Sequence, residues 1–194
     1  MKFHQTQSQV AEDNHKYRVV CCGRQWGKTT LSVWEMFGCA YAKNGRRIGY
    51  FAPTFIQARD IAWKMLKEIT NPFWSKEPNE TRLEIYINTA DKGESEIVLK
   101  GWESVDSVRG TQFDFVVLDE VAKMRNFKDG YEAALLGALV YRKANVLFIS
   151  TPYGYNHFYD LYQMEKQSQD YKSYHFTSYD NPHLPKEELE LYKK

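Results

Sequence analysis

The sequence has almost no charge imbalance: 26 lysines and arginines face 25 aspartates and glutamates, for a formal net charge of +1. A global basic field is therefore excluded, and any nucleic-acid contact must be local or supplied from elsewhere. Only three cysteines occur, at 21, 22 and 39, and none has zinc-ligand or disulfide spacing. They are expected to be small buried thiols in a reducing compartment. No apolar run approaches the roughly 20 residues of a membrane span. Met1-Lys2-Phe3-His4-Gln5 lacks the apolar core of a signal peptide, so a cytosolic protein without a membrane partner is expected. Repeats, low-complexity tracts and internal linkers are absent as well. What is present is an ordinary globular composition over 194 residues, 43% hydrophobic and 26% charged, long enough for one domain with a sizeable core. Aromatics make up 15% of the chain and are scattered where core packing accounts for most of them.

Periodicity alternates between strand and helix. Strands are expected at residues 18–22, 47–52, 115–118, 145–150 and 171–176, and helices at 28–43, 55–69, 130–142, 156–167 and 186–194. Stops at Asn44-Gly45 and Asn71-Pro72 end the first two helices. Residues 83–88 and 96–100 flank Asp91-Lys92-Gly93 and predict an antiparallel edge hairpin. Short continuous apolar strands alternating with helices imply a mainly parallel central sheet covered on both faces, a three-layer α/β fold.

The first motif is Arg18-Val19-Val20-Cys21-Cys22-Gly23-Arg24-Gln25-Trp26-Gly27-Lys28-Thr29-Thr30, a β-branched run that breaks into a glycine loop and enters a helix. This order builds a triphosphate cradle. Backbone N–H groups wrap the phosphates, Lys28 reaches the terminal ones and the Thr29 hydroxyl holds Mg²⁺. Cys22 stands where the first glycine of such loops is expected, and Gly23 follows one position late.

The second motif, Phe115-Val116-Val117-Leu118-Asp119-Glu120, closes a buried parallel strand on two carboxylates, at the strand end where open α/β sheets bind ligands. In a phosphate-loop protein Asp119 holds Mg²⁺ and Glu120 polarises the water that attacks the γ-phosphate. Water as acceptor points to an ATPase. A third strand ends in Ser150-Thr151-Pro152, whose hydroxyls either bond the γ-phosphate or its attacking water, or cap the next helix. Two arginines are candidates to neutralise charge on the transferring phosphoryl group: Arg24 in cis, inside the loop, and Arg109, in the flexible Ser107-Val108-Arg109-Gly110-Thr111, reaching a neighbouring subunit.

Taken together these motifs resemble the large terminase subunits of tailed double-stranded DNA bacteriophages, specifically their N-terminal packaging ATPase. Gly23-Arg24-Gln25-Trp26-Gly27-Lys28-Thr29 is similar to that family's deviant phosphate loop, Asp119-Glu120 to its metal and catalytic pair, and Ser150-Thr151-Pro152 to its coupling motif. Gln7, between Gln5 and Gln9, resembles its adenine-reading glutamine, and Arg109-Gly110 its trans-acting arginine finger. Gly154-Tyr155-Asn156-His157-Phe158-Tyr159 and Asp180-Asn181-Pro182 are similar to family segments too.

The resemblance implies a P-loop NTPase of the ASCE (RecA-like) class, with an additional strand and a catalytic glutamate. It implies ATP and Mg²⁺ bound at Gln7, residues 23–30, Ser150 and Thr151, with Thr29 and Asp119 on the metal. Glu120, Lys28, Arg24 and Arg109 would be the catalytic groups. It further implies double-stranded DNA, a portal protein and a small terminase subunit as partners, and a homo-oligomeric ring, usually a pentamer, that is monomeric when isolated. The expected location is the cytoplasm of the infected bacterial host, outside the finished virion. Residues 1–180 would be the ATPase domain and 181–194 the start of a linker to a C-terminal nuclease domain, so no nuclease activity is expected of these residues. A helicase-like translocase or a nucleotide switch without turnover remain the alternatives.

Overall fold

The computed structural model describes residues 3–190. Its centre is one seven-stranded sheet of β1 (Tyr17–Cys22), β2 (Arg47–Ala52), β3 (Glu84–Asn88), β4 (Glu94–Gly101), β5 (Phe115–Asp119), β6 (Asn145–Ser150) and β7 (Tyr171–Phe176), in the order β3-β4-β2-β5-β6-β1-β7. Every neighbouring pair is parallel except β3 with β4, the expected edge hairpin. β6 lies between β1 and β5, which is the additional strand that the resemblance implies.

A short helix outside the expected set, α1 (Gln5–Ala11), packs under the phosphate loop. Its run Gln5-Thr6-Gln7-Ser8-Gln9-Val10-Ala11 has too few apolar residues to show a helical period, and its N-cap is His4, whose side chain accepts from the Gln7 N–H.

Alternate residues of each strand feed two cores, as period-two side chains must. Val117 of β5 and Ile149 of β6 pack with Leu31 and Met36 of α2 (Lys28–Ala42) and with Leu66 of α3 (residues 55–70). Val116, Leu118 and Phe148 pack with Leu135 and Leu139 of α4 (residues 127–140) and Phe158 of α5 (His157–Gln163). The result is the three-layer arrangement read from the sequence. Both α3 and α4 contain a single π turn, at Arg59–Trp63 and Tyr131–Leu135.

At the C-terminal end, α6 (Lys186–Glu190) falls within the expected charged helix, whose last residues, 191–194, lie outside the described part. The segment before it packs on the domain: Asn181 donates to the Gln25 carbonyl at 2.7 Å, and Leu189 is buried.

Candidate active site

Parallel register brings three strand ends together. Cys21 of β1 stands opposite Ser150 of β6, and Ile149 of β6 opposite Asp119 of β5, so the loop after β1, the Asp119-Glu120 pair and Ser150-Thr151 share one edge of the sheet.

The loop is fixed from both sides. On the β7 side, the Gly23 N–H donates to the Phe176 carbonyl at 3.1 Å, Ser178 Oγ donates to the Arg24 carbonyl at 2.7 Å, and Asn181 takes the Gln25 carbonyl. On the α1 side, Trp26 is fully buried, stacked on Phe176 with centroids 5.1 Å apart, and its Nε1 donates to Thr6 Oγ1 at 3.0 Å. His4 Nε2 donates to the Trp26 carbonyl at 2.9 Å. That acceptor requires the proton on Nε2 and leaves Nδ1 free to take the Gln7 N–H. Gln7, only 4% exposed, donates through Nε2 to the Gly27 carbonyl at 3.0 Å and accepts the His4 N–H on Oε1 at 3.1 Å. The amide assigned by resemblance to a base is thus engaged at both ends beneath the loop. Gly27 has φ +103°, a conformation suited to glycine, and closes the turn into α2.

No side chain caps α2, so its first N–H groups remain for a ligand. Lys28 Nζ stands 3.6 Å from Glu120 Oε1, and the hydroxyls of Thr29 and Thr30 have no protein hydrogen bond among the described residues. Trp26 can serve a phosphate cradle only through its backbone. Burial pushes the Cys22 thiol up, which leaves it an inert core residue.

Asp119 is 1% exposed. Its Oδ1 accepts the Glu120 N–H at 2.8 Å and its Oδ2 the Tyr50 hydroxyl at 2.7 Å. Burial pushes this carboxyl up to about 6, and the Glu120 charge adds to that, while the Tyr50 hydrogen bond and the Lys28 charge oppose it. Glu120 takes a left-handed φ of 53°, unusual for a residue with a side chain. Its carboxylate accepts from Thr151 Oγ1 at 3.1 Å and pairs with Lys123 at 3.2 Å as well as with Lys28. Ser150 Oγ accepts the Ala122 N–H at 3.2 Å, His157 Nε2 donates to the Val121 carbonyl at 2.6 Å, and Asn156 Nδ2 donates to the Ala122 carbonyl at 3.3 Å. Both hydroxyls of the Ser-Thr-Pro motif therefore address the turn that follows Asp119.

The two arginines lie apart from this cluster. Neither guanidinium bonds Lys28, Asp119 or Glu120 among the described residues. Arg109 is exposed and held by Asp106 through Nε and Nη2 at 3.0 and 2.7 Å, on the wall of a cleft of about 760 Å³ shared with Lys123 and Arg125. Arg24 is exposed beside a second cavity of about 560 Å³, lined by Pro152, His175, Phe176, Tyr179 and Leu189.

Sequence reasoning missed Tyr50, Thr151 as a partner of Glu120, and the His4-Thr6-Gln7 brace. Tyr50 left one trace, a hydroxyl in an otherwise apolar buried strand that needs a hydrogen-bond partner.

The family described as "Terminase large subunit, T4likevirus-type, N-terminal" matches residues 20–193. The large terminase subunit of Thermus phage G20c is 28% identical over 209 aligned residues, covering 92% of this chain and 43% of that protein. The chain thus spans less than half the length of that curated relative. The ATPase domain of the large terminase of Thermus phage P74-26 superposes with a TM-score of 0.82 at 28% identity, over 99% of this chain and 86% of that one. The large terminase of another thermophilic bacteriophage, solved in complex with ATP-gamma-S, shares the fold with a TM-score of 0.76 at 21% identity, over 99% of this chain and 49% of that one.

Proposed function

The chain belongs to the family of T4likevirus-type terminase large subunits, as their N-terminal part, and we propose that it is the ATPase motor of such a subunit. In this reading it hydrolyses ATP to drive double-stranded DNA into a procapsid. The observation that carries it is the meeting of Lys28, Asp119 and Glu120 at one sheet edge, with the base of the loop rigidly held.

Lys28 and the first N–H groups of α2 bind the phosphates. Thr29 and Asp119 would hold Mg²⁺, which supplies charge neutralisation between the phosphates when bound. The donor set suits it. Among the described residues no three His, Cys, Asp or Glu side chains gather into a metal cage, while β5 ends in the buried Asp119 carboxylate and the first turn of α2 carries the unpartnered Thr29 hydroxyl. Mg²⁺ is commonly bound in this way, by one or two carboxylates plus substrate phosphates. Glu120 accepts the proton of the attacking water, and Thr151 fixes one of its oxygens. A base that must trade its ion pair with Lys28 for a hydrogen bond from water is sensitive to the arrival of phosphate. That is a route by which the Ser150-Thr151 strand transmits the nucleotide state.

The apolar cavity along Gly23, Arg24, Pro152, His175 and Tyr179 is where the base lies, and Gln7 acts from beneath as a brace. In this reading Arg24 would act in cis and Arg109 in trans within a homo-oligomeric ring, each guanidinium having to leave its observed position to reach the γ-phosphate. The portal protein, the small terminase subunit and the DNA are the partners of the whole subunit in the host cytoplasm. The presence of Glu120 favours turnover over a passive switch.

The test is ATP hydrolysis in Mg²⁺ across a protein concentration series, with and without double-stranded DNA, for wild type, Lys28→Ala, Arg24→Ala and Arg109→Ala. Nucleotide binding lost in Lys28→Ala, and a concentration-dependent rate that disappears in Arg109→Ala, are expected. Unchanged nucleotide affinity in Lys28→Ala overturns the phosphate-loop assignment, and a concentration-independent rate lost only in Arg24→Ala removes the trans finger.

A further inference from the structure

Asp119 is 1% exposed at the end of β5, yet no ammonium or guanidinium group hydrogen-bonds it among the described residues. Both bonds it accepts come from neutral donors. One is the next backbone N–H, and the other is the hydroxyl of Tyr50, itself fully buried. A buried carboxylate without a bonded cation is costly unless its hydrogen bonds are good and a cation arrives from elsewhere. The sheet register explains how Tyr50 reaches it. Tyr50 stands opposite Val117, and Asp119 lies two residues further along β5, on the same face. The long phenol spans that diagonal at the strand ends, where a phenylalanine would leave the Oδ2 lone pair unmet.

We propose that Tyr50 is a positioning residue that locks the Asp119 carboxylate in the orientation that receives the metal of the bound nucleotide. The proposal rests on the reading of Asp119 as a metal carboxylate. The plane of a carboxylate held at one oxygen can still turn. The two bonds, at 2.7 and 2.8 Å, pin it at both oxygens and leave each oxygen one further lone pair to offer. The Oδ1 bond ends on the Glu120 N–H, so the same lock holds the backbone of the left-handed Glu120, and the metal carboxylate and the general base are oriented together. Partners of this outer kind typically change metal affinity by about 10- to 100-fold when removed.

The experiment compares binding of ADP in Mg²⁺ with ADP in EDTA by calorimetry for wild type, Tyr50→Phe and Tyr174→Phe. Tyr174 donates its hydroxyl to Asp13 Oδ2 at 2.7 Å, with no bond to Asp119 or Glu120, and serves as a matched deletion of a phenol oxygen. In Tyr50→Phe the EDTA affinity should stay within about twofold of wild type, while the Mg²⁺ concentration needed for half-maximal tightening rises about 10-fold or more. Tyr174→Phe should leave that concentration unchanged. An unchanged Mg²⁺ requirement in Tyr50→Phe, whatever its melting temperature, overturns the proposal. If wild-type binding itself is indifferent to Mg²⁺, the metal role of Asp119 fails instead. Should Tyr50→Phe not fold, Tyr50→Met, flexible and equally without the hydroxyl, is measured in the same way.

Discussion

Replacing Glu120 by glutamine isolates its charge from its shape. The side chain sits between three donors: Thr151 Oγ1 at 3.1 Å, Lys123 at 3.2 Å and Lys28 at 3.6 Å. Glutamine keeps an oxygen for Thr151 and fits the same space, but it can neither take a proton from water nor pair with Lys28. Loss of a general base costs about 10²- to 10⁴-fold in rate, or about 3 to 5 kcal/mol of barrier. Binding should move the other way. Lys28 is engaged by Glu120, and ATP must recruit that ammonium. The pair is partly exposed, so its worth is discounted to the about 0.2–1 kcal/mol of screened ion pairs. Freeing Lys28 therefore tightens ATP by up to about fivefold. Phosphate release under single-turnover conditions measures the first effect, and titration with a fluorescent ATP analogue the second. Hydrolysis within about threefold of wild type would refute the assignment of the base. A tenfold loss of ATP affinity would show that Glu120 builds the loop and does not act on water.

Gly23→Ala should destabilise the protein by about 1–3 kcal/mol, as overpacking does, because a Cβ there would lie 2.6 Å from Ser178 Oγ and 2.7 Å from the Ser178 backbone nitrogen; a melting temperature equal to wild type would show that the 177–181 segment yields freely. Stability of the nucleotide-free protein should fall as pH rises between about 4 and 6. Asp119 titrates near 6 when folded against an ordinary 3.8, so within that window the folded state holds the extra proton, and the stabilisation is complete below the lower value and lost above the upper one. Urea unfolding at both ends of the window checks this, and the same slope in Asp119→Asn would assign the effect to another group.

The centre of the sheet was legible because β2, β5 and β6 are short apolar runs, the edge hairpin because its strands flank Asp91-Lys92-Gly93, and the site because β5 and β6 each end abruptly in polar residues. Register did the rest: once β1, β6 and β5 are neighbours, the strand ends at Cys21, Ser150 and Asp119 must meet. What escaped the sequence depended on contacts between residues far apart in the chain. Gln7 could be singled out, but not that its amide closes on Gly27, 20 residues away. Thr151 could be placed beside a phosphate, but its bond to Glu120 crosses from one strand end to the next. Helix α1 was invisible because its stabilisation comes from the loop it supports, through His4, Thr6 and Gln7, and not from an apolar stripe of its own.

The displaced first glycine of the loop has the same kind of origin. Cys22 is the last residue of β1, paired with Phe176 of β7 and buried in the core beneath the loop. The Gly23 N–H continues that ladder by bonding the Phe176 carbonyl. Strand pairing thus extends into the loop, and the residue that meets the next turn of the chain is 23, where Ser178 leaves no room for a side chain. A glycine at 22 would relieve no clash and would remove a buried thiol from the core, at a cost in apolar packing. The departure from the usual spacing is therefore a strand that runs into the cradle with its glycine moved to the point of closest approach. The residue left exposed by that shift is Arg24, on the wall of the cavity assigned to the base.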